Sequence, residues 1–338
     1  MDQKCTEGCL LGTAVADALG LPYEGLSPAR AAKLLGRPDS YKFFLGKGMV
    51  SDDTEHTVMS LMAFVQTGGE PVAYQKAFAN RLKMWLLFLP AGVGLATLKA
   101  IMRLSFGVPP SRSGVKSAGN GPAMRAAILG VVPGGLECLE ASTFITHLDP
   151  RASQGALLIA HSAQISSSWE SLKPQEVLSY LKSLLPTDAD LFLKALDQVA
   201  DSIKAGESTT EFARKHFLEK GVSGYVLHTV PAALHAWLSY PDDYESAVKE
   251  IILCGGDADT TAAIVGGIVG ARVGPEGIPQ AWRDGLDEPV LNPEFFKRLA
   301  KSSAERRPFG HMLVNPFRNI KFLIIVLGHG FRRILPPY

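Results

Sequence analysis

The sequence predicts an all-α fold, arranged as one compact multi-helix domain. Apolar residues recur every three to four positions in most segments, which is the helical period. Alternation with a period of two is scarce, and no βαβ rhythm is present. Glycine and proline pairs separate the helical segments. The chain has 338 residues, 46% of them hydrophobic and 20% charged, which indicates a globular protein with a substantial core.

The first element is the apolar stretch at residues 9–22. It superficially resembles a signal peptide, but Asp2 and Glu7 precede it and Asp17 interrupts it. A signal peptide would have a positive start and an uncharged apolar region. We therefore expect a buried helix of the mature protein.

The charge and cysteine content exclude several classes of protein. The 34 basic and 33 acidic residues give a net charge of +1, so there is no general electrostatic case for binding nucleic acid. Four scattered cysteines (Cys5, Cys9, Cys138 and Cys254) do not make a disulfide framework or a zinc motif. We expect reduced, buried thiols and a cytoplasmic protein.

An acidic cluster with hydroxyl groups, Ser51-Asp52-Asp53-Thr54-Glu55, comes next in the chain. The apolar stripe that follows it predicts a helix, whose first turn would contain the acids. Ser51 would cap that helix, and a carboxylate there suits the helix dipole. Capping explains one acid well, but two adjacent acids repel each other unless a cation is bound. Both interpretations stay open at this point.

A glycine loop and a His-Asp segment occupy the middle of the chain. Gly119-Asn120-Gly121-Pro122 predicts a loop that enters a helix, and its backbone N–H groups would suit an anionic ligand. His147 and Asp149 directly precede an apolar helix. They are either a cap with a solvated side chain or part of a pocket wall.

A second acidic cluster, Asp257-Ala258-Asp259-Thr260, follows Gly255-Gly256. Residues two apart do not share a helix face, so the two aspartates converge on one ligand only if the turn before the helix is irregular. The two glycines permit such a turn. Several further glycines interrupt the following helix at about 1 kcal/mol each, which predicts close contact with neighbouring helices.

The two clusters share the same chemistry. Both offer carboxylate and hydroxyl oxygens and neither contains cysteine, which suits Mg²⁺ or Mn²⁺ better than zinc. If the clusters meet in space, they form a binuclear metal centre.

Taken together, these segments resemble the ADP-ribosylglycohydrolase family, from Gly8 to about Trp282. The opening segment, with its Asp17-Ala18-Leu19-Gly20 and Glu24, is similar to the family's first helix and acidic loop. Ser51-Asp52-Asp53-Thr54 resembles the first metal motif, usually Thr-Asp-Asp-Thr. The glycine loop with Met124-Arg125, the His-x-Asp-Pro-Arg segment and the second acidic cluster follow in family order.

The resemblance implies two Mg²⁺ ions, or Mn²⁺, that bind the hydroxyls of a ribose. The implied metal ligands are Ser51, Asp52, Asp53, Asp257, Asp259 and Thr260. Asp52, Asp53 and Glu24 are the implied candidates for proton transfer. Gly119, Asn120 and Gly121 would approach ribose and diphosphate, and His147 and Asp149 would line the cleft.

The resemblance also implies a function. The expected reaction is the Mg²⁺-dependent hydrolysis of the bond between ADP-ribose and a modified acceptor, most readily a protein side chain, with arginine weakly favoured. Serine-linked or small ADP-ribosyl conjugates are an alternative substrate class. A non-catalytic ADP-ribose-binding or structural protein is the other alternative, and the retained acidic residues argue against it.

The chain beyond residue 306 is predicted to be a separate extension, spanning residues 307–338, after a domain at residues 1–306. Its apolar stretch at residues 320–328 is too short to span a bilayer. Basic residues flank that stretch. It therefore either packs on the domain, contacts a partner subunit or touches an anionic membrane surface.

Overall fold

The computed structural model describes residues 2–43, 46–90, 92–217, 220–302 and 316–332. Within these ranges the chain is helical with isolated β-bridges and no strand, so the predicted all-α fold is confirmed. The α-helices are α1 (Gln3–Gly20), α2 (Pro28–Leu35), α3 (Asp52–Thr67), α4 (Pro71–Leu87), α5 (Leu95–Ser105), α6 (Gly121–Met124), α7 (Ala127–Val131), α8 (Leu139–Phe144), α9 (Pro150–Ser168), α10 (Pro174–Ser183), α11 (Asp190–Lys204), α12 (Thr209–His216), α13 (Val226–Ser239), α14 (Tyr244–Leu253), α15 (Ala258–Val273), α16 (Gln280–Gly285), α17 (Pro293–Ala300) and α18 (Pro316–Arg332).

Helices α1 and α15 form the central pair of the fold, and glycines let their backbones touch. A Cβ on Gly12 would lie 2.2 Å from the carbonyl oxygen of Gly266, and one on Gly8 would lie 2.1 Å from that of Gly270. Any larger side chain at these positions would separate the helices. This close approach is the packing that the glycines of α15 predict.

The predicted buried helix at the start of the chain is confirmed as α1, whose residues from Gly8 to Gly20 are all buried. Its last turn meets the first turn of α15, because a Cβ on Gly20 would lie 2.5 Å from the carbonyl oxygen of Ala258. The central pair therefore brings the second acidic cluster to the C-terminal end of α1.

Other helices cover this pair. Helices α9, α13 and α14 pack on α15, while α3 and α17 pack on α1. The four cysteines are free thiols, and three of them are buried, as expected. None of the helices in the described ranges is long and apolar enough to cross a membrane.

The C-terminal extension packs on the domain through α18, one of the three arrangements considered for it. Phe322 is buried against Leu21, Phe43 and Met49. The opposite face keeps large apolar side chains exposed, among them Ile324 and Phe331. The predicted boundary between residues 306 and 307 lies outside the described residues, as do Arg333 and the final Pro-Pro-Tyr.

Candidate functional site

The first acidic cluster begins helix α3. Ser51 is the N-cap, and its Oγ accepts a hydrogen bond of 3.2 Å from the backbone N–H of Asp53. The predicted capping role of Ser51 is confirmed. Asp53 is buried and Asp52 half-buried, so capping does not account for both acids.

Asp17 of α1 holds the start of α3 through hydrogen bonds. Its Oδ2 accepts hydrogen bonds from the N–H of Ser51 at 2.9 Å, the N–H of Thr54 at 3.3 Å and the Oγ1 of Thr54 at 2.5 Å. Burial raises the pKa of Asp17 to about 7, and these hydrogen bonds oppose the rise. The site residues predicted from the sequence do not include Asp17, although a lone carboxylate in a buried apolar helix is a signal that points to it.

The second acidic cluster follows the irregular turn that the two glycines predict. Gly255 and Gly256 have φ values of 66° and 81°, in the left-handed region. The N–H of Gly256 donates to the carbonyl of Leu26, and the N–H of Asp257 donates to the carbonyl of Val222 at 2.7 Å. The turn is thus held between two neighbouring loops, and Asp257 occupies the N-cap of α15.

The two clusters meet at Asp53. The Oγ of Ser51 and the Oγ1 of Thr260 both donate to Asp53 Oδ2, at 3.0 and 3.2 Å. One oxygen, Oδ1, of each of Asp17, Asp53 and Asp259 is buried and has no hydrogen-bond partner in the part of the chain that the structure describes. Buried carboxylates without partners are costly, so these oxygens indicate that the site binds a group that is positively charged or donates hydrogen bonds.

Electrostatic repulsion within the site is strong. Burial, reinforced by neighbouring carboxylates, raises the pKa values of Asp52, Asp53 and Asp259 well above the ordinary range. Burial also raises the pKa of Asp257. Among the described residues, no ion pair joins a lysine, arginine or histidine to any of these four aspartates. A divalent cation would offset this charge.

The donor set fits a hard cation that keeps part of its hydration shell. Within the described ranges, no group of three or more histidine, cysteine, aspartate or glutamate side chains is placed so that those side chains alone could hold a metal ion. Mg²⁺ is usually held by one or two carboxylates and several waters, so it does not need a complete cage of such side chains. The hydroxyls of Ser51 and Thr260 and the partnerless carboxylate oxygens are therefore suitable ligands.

Glu24 lies at the rim of this site. It follows the 3-10 turn Leu21–Tyr23 and is exposed. The N–H of the next residue, Gly25, donates to the carbonyl of Gly256 at 2.7 Å, which ties the loop to the second acidic cluster. The charge of Glu24 contributes to the raised pKa values of Asp52 and Asp259, so it acts on both clusters.

The predicted glycine loop reaches the acidic site through Asn120. Its Nδ2 donates to Asp257 Oδ2 at 2.6 Å and to Thr229 Oγ1 at 3.0 Å. The backbone N–H of Asn120 donates to the carbonyl of Gly224, which fixes the loop. A Cβ on Gly224 would lie 3.1 Å from Asp257 Oδ2, so a larger residue would crowd this carboxylate.

The imidazole of His147 packs on the two glycines of the same loop. A Cβ on Gly119 would lie 3.1 Å from its Nε2, and one on Gly121 would lie 3.0 Å from its Cε1. Its Nδ1 lies 2.9 Å from Thr146 Oγ1. Burial, together with the nearby Arg125, lowers the pKa of His147 to about 3, so the ring is neutral at physiological pH.

Asp149 stands apart from the acidic residues. It is the N-cap of α9, and its carboxylate forms an ion pair with Arg151 at 2.7 Å. The Nη1 of Arg151 donates to the hydroxyl of Tyr225 at 3.0 Å, and Tyr225 forms a β-bridge with Gly119. The capping interpretation of Asp149 is confirmed, and its link to the glycine loop runs through Arg151 and Tyr225.

The arrangement is suited to binding a polyhydroxylated ligand. Carboxylate oxygens, hydroxyls and an amide converge beside a loop of small residues, and an exposed acid stands at the rim. Such a site can hold a sugar and supply a carboxyl group for proton transfer.

Comparison with known proteins agrees with this chemistry. The ADP-ribosylglycohydrolase family model matches residues 3–309. An uncharacterized protein of Archaeoglobus fulgidus is 33% identical over 89% of this chain and 95% of its own length. The ADP-ribosyl-[dinitrogen reductase] glycohydrolase of Rhodospirillum rubrum is 27% identical over 84% of this chain and 90% of its own. The ADP-ribosylarginine hydrolase Tri1 of Pseudomonas putida is 27% identical over 89% and 78%.

A solved structure, described as an ADP-ribosylglycohydrolase-related protein complex, shares the fold with a TM-score of 0.64. It covers 90% of this chain and 98% of its own, at 24% sequence identity. The family match spans nearly the whole domain, including both acidic clusters and the glycine loop. The chain therefore belongs to the ADP-ribosylglycohydrolase family and is a hydrolase of ADP-ribose conjugates.

Proposed function

We propose that this protein releases ADP-ribose from a modified protein side chain in a reaction that depends on Mg²⁺ or Mn²⁺. The observation that carries the proposal is the meeting of the two acidic clusters at Asp53, where two hydroxyls anchor one oxygen and the other is buried with no partner in the described ranges. Two Mg²⁺ ions would be held by Ser51, Asp52, Asp53, Asp257, Asp259 and Thr260. A bound cation would supply positive charge to offset the carboxylates and orient oxygen ligands.

Other residues of the chain would support the site and position the ligand. Asn120 holds Asp257 in one orientation, and Gly119, Asn120 and Gly121 of the glycine loop would approach the ribose and diphosphate. His147 stays neutral and lines the cleft beside that loop. Asp149 orients Arg151 at the same edge. Rigid support of this kind lowers the activation barrier of the reaction, because the bound sugar loses less entropy on reaching the reactive geometry.

The chemistry is hydrolysis at the anomeric carbon. The bond between that carbon and the acceptor atom breaks through an oxocarbenium-like state, water supplies the new hydroxyl, and the departing acceptor takes a proton. Asp52, Asp53 and Glu24 are the candidate carboxyl groups for the proton transfer. Glu24 is favoured because it is exposed at the rim, whereas Asp53 is buried and anchored by two hydroxyls.

An arginine-linked acceptor is favoured among protein substrates. The relatives from Rhodospirillum rubrum and Pseudomonas putida are named for the dinitrogen reductase conjugate and for ADP-ribosylarginine. Serine-linked and small-molecule conjugates are the alternative substrate class.

The test is an assay of ADP-ribose release from arginine-modified and serine-modified proteins, each with Mg²⁺ and with EDTA. We expect release from the arginine conjugate that EDTA abolishes. Glu24→Gln should lower kcat and alter the pH dependence of the rate, while Asp188→Asn, an exposed acid far from the site, serves as the control. Release that EDTA does not reduce would contradict the metal requirement, and release from neither conjugate would contradict the protein substrate.

A further inference from the structure

Helix α18 lies beyond the region that defines the family, which ends at residue 309. It nevertheless contacts three segments that lead into the candidate site. Its buried face, anchored by Phe322, faces the 3-10 turn before Glu24 and the loop before Ser51, through Leu21 and Met49. Three residues of this helix, Arg318, Asn319 and His329, make polar contacts with these two segments and with a third, after α4.

Arg318 is the main contact. Its guanidinium is 10% exposed and donates to the carbonyl of Val50 at 2.6 Å, one residue before Ser51. It also pairs with Glu288 at 2.6 Å and with Glu55 at 3.3 Å. Burial alone would lower the pKa of Arg318, but the two carboxylates outweigh that effect and raise it.

The partners of Arg318 hold the first acidic cluster from both sides. Glu288 accepts a hydrogen bond of 2.9 Å from the N–H of Val50, so Arg318 and Glu288 together bind both polar groups of that residue. Glu55, in the first turn of α3, also accepts a hydrogen bond of 2.6 Å from Trp85 Nε1. Residues 50 and 55 bracket Ser51, Asp52 and Asp53, so their positions set the position of the cluster.

Two further contacts hold other walls of the site. Asn319 Nδ2 donates to the carbonyl of Phe88 at 2.8 Å. Phe88 begins the segment that leads to Gly92, where a Cβ would lie 3.9 Å from Asp52 Oδ1. At the other end of the helix, His329 Nε2 lies 3.1 Å from the carbonyl of Pro22, two residues before Glu24.

We infer that α18 is part of the hydrolase site and that Arg318 is a positioning residue for it, acting through Val50, Glu55 and Glu288. The inference rests on the proposed function of the acidic clusters. In this arrangement the extension completes the site within the same chain. Removing its contacts would loosen Ser51–Asp53, Glu24 and the loop at Gly92 together, while the central helix pair would stay intact.

The decisive variant is Arg318→Met combined with Glu288→Gln. Arg318→Met alone leaves two buried carboxylates without a cation, which destabilises a protein strongly. The double variant removes one of these charges, and glutamine still accepts the hydrogen bond from Val50. Lys321→Met is the matched control, because Lys321 is on the same helix and pairs with the exposed Asp287 rather than with a residue beside the first acidic cluster.

The first measurement is hydrogen exchange, which requires no turnover. In the double variant, a peptide covering residues 48–54 should exchange about tenfold faster or more, with peptides of α1 and α15 unchanged. Lys321→Met should match the wild type. Wild-type exchange at residues 48–54 in the double variant would overturn the inference, whether or not the protein releases ADP-ribose from any conjugate.

The second measurement is kinetic. We expect kcat for ADP-ribose release to fall about tenfold or more and the Mg²⁺ concentration for half-maximal rate to rise, because misplacement of a positioned group by about 1 Å has such effects. Arg318→Lys should recover part of the rate, since it keeps the charge but not the forked geometry. Full activity and wild-type Mg²⁺ dependence in the double variant would overturn the positioning role.

Discussion

The hydroxyl of Thr260 donates a hydrogen bond of 3.2 Å to the carboxylate of Asp53, 207 positions away in the chain. Ser51 donates to the same oxygen. One oxygen of Asp53 is thus oriented by two hydroxyls, while the other is buried and has no hydrogen-bond partner among the described residues. A carboxylate held in this way would be preorganised for the proposed cation.

Asp53→Asn is expected to separate activity from stability. The variant should lose ADP-ribose release, yet in EDTA it should unfold at a higher temperature than the wild type, because one of several mutually repelling carboxylates is gone. Mg²⁺ at about 100 times its dissociation constant should stabilise the wild type by about 2.7 kcal/mol and the variant much less. Thermal unfolding with EDTA and with Mg²⁺ measures both effects. An equal response of the two proteins to Mg²⁺ would contradict the assignment of Asp53 as a ligand.

Asp17 is expected to make the metal-free protein less stable as pH rises. Its pKa is about 7 in the folded protein and 3.8 ordinarily, so the folded state binds the extra proton between these values. The stabilisation from this proton is complete below about pH 4 and is lost as pH rises through about 7. Asp17→Asn keeps the oxygen acceptor and should flatten this dependence. Urea unfolding in EDTA at several pH values is the measurement, and an unchanged slope in the variant would rule out the effect.

Asn120 is expected to control the affinity for ADP-ribose through Asp257. Asn120→Ala removes a hydrogen bond to a carboxylate and should weaken binding about tenfold. Asn120→Asp should be worse, because it places a second carboxylate where the amide lies 2.6 Å from Asp257. Thr229→Val is the matched control, because it removes the other partner of the amide, together with the hydrogen bond from Thr229 to the carbonyl of Ser223, and leaves the contact with Asp257. Calorimetric titration with ADP-ribose and Mg²⁺ would rank the variants, and equal affinity of the Ala and Asp variants would contradict the charge argument.

Gly12 is expected to be irreplaceable on packing grounds alone. A Cβ there would meet the backbone of α15 at 2.2 Å, so Gly12→Ala should cost about 2 kcal/mol of unfolding free energy or more. Gly328→Ala is the control, since a Cβ in that helix would have no atom within 4 Å and should stabilise by up to about 1 kcal/mol. Denaturant unfolding of both variants tests the contrast. A Gly12→Ala protein as stable as the wild type would disprove the tight contact.

Short-range sequence patterns predict much of this fold. Helical periodicity with proline and glycine punctuation predicts the all-α class, Ser51 predicts the start of α3, and Gly255-Gly256 predicts the irregular turn before α15. These features depend on residues close together in the chain. The ligand roles of the acidic residues and the identity of the ions stay predictions, because they depend on metal ions and a substrate, which are not part of the protein chain.

Other features depend on residues far apart and left no local pattern. Asp17 reads as an interruption of an apolar stretch, and only the packed structure shows that it holds the start of α3. Arg318 reads as one of several basic residues in a tail, yet it pairs with carboxylates 263 and 30 positions away. Charge pairing over such distances is determined by tertiary packing.

The contact between α1 and α15 has a consequence for biosynthesis. Gly8 and Ala258 are 250 positions apart, which at 5–20 residues per second is roughly 12–50 s of translation. Throughout that interval the apolar α1 lacks the helix that covers it, and only one of the acidic clusters has been made. The enzyme therefore cannot become active in stages on the ribosome, and we expect α1 to be the segment of the nascent chain that most needs protection from aggregation.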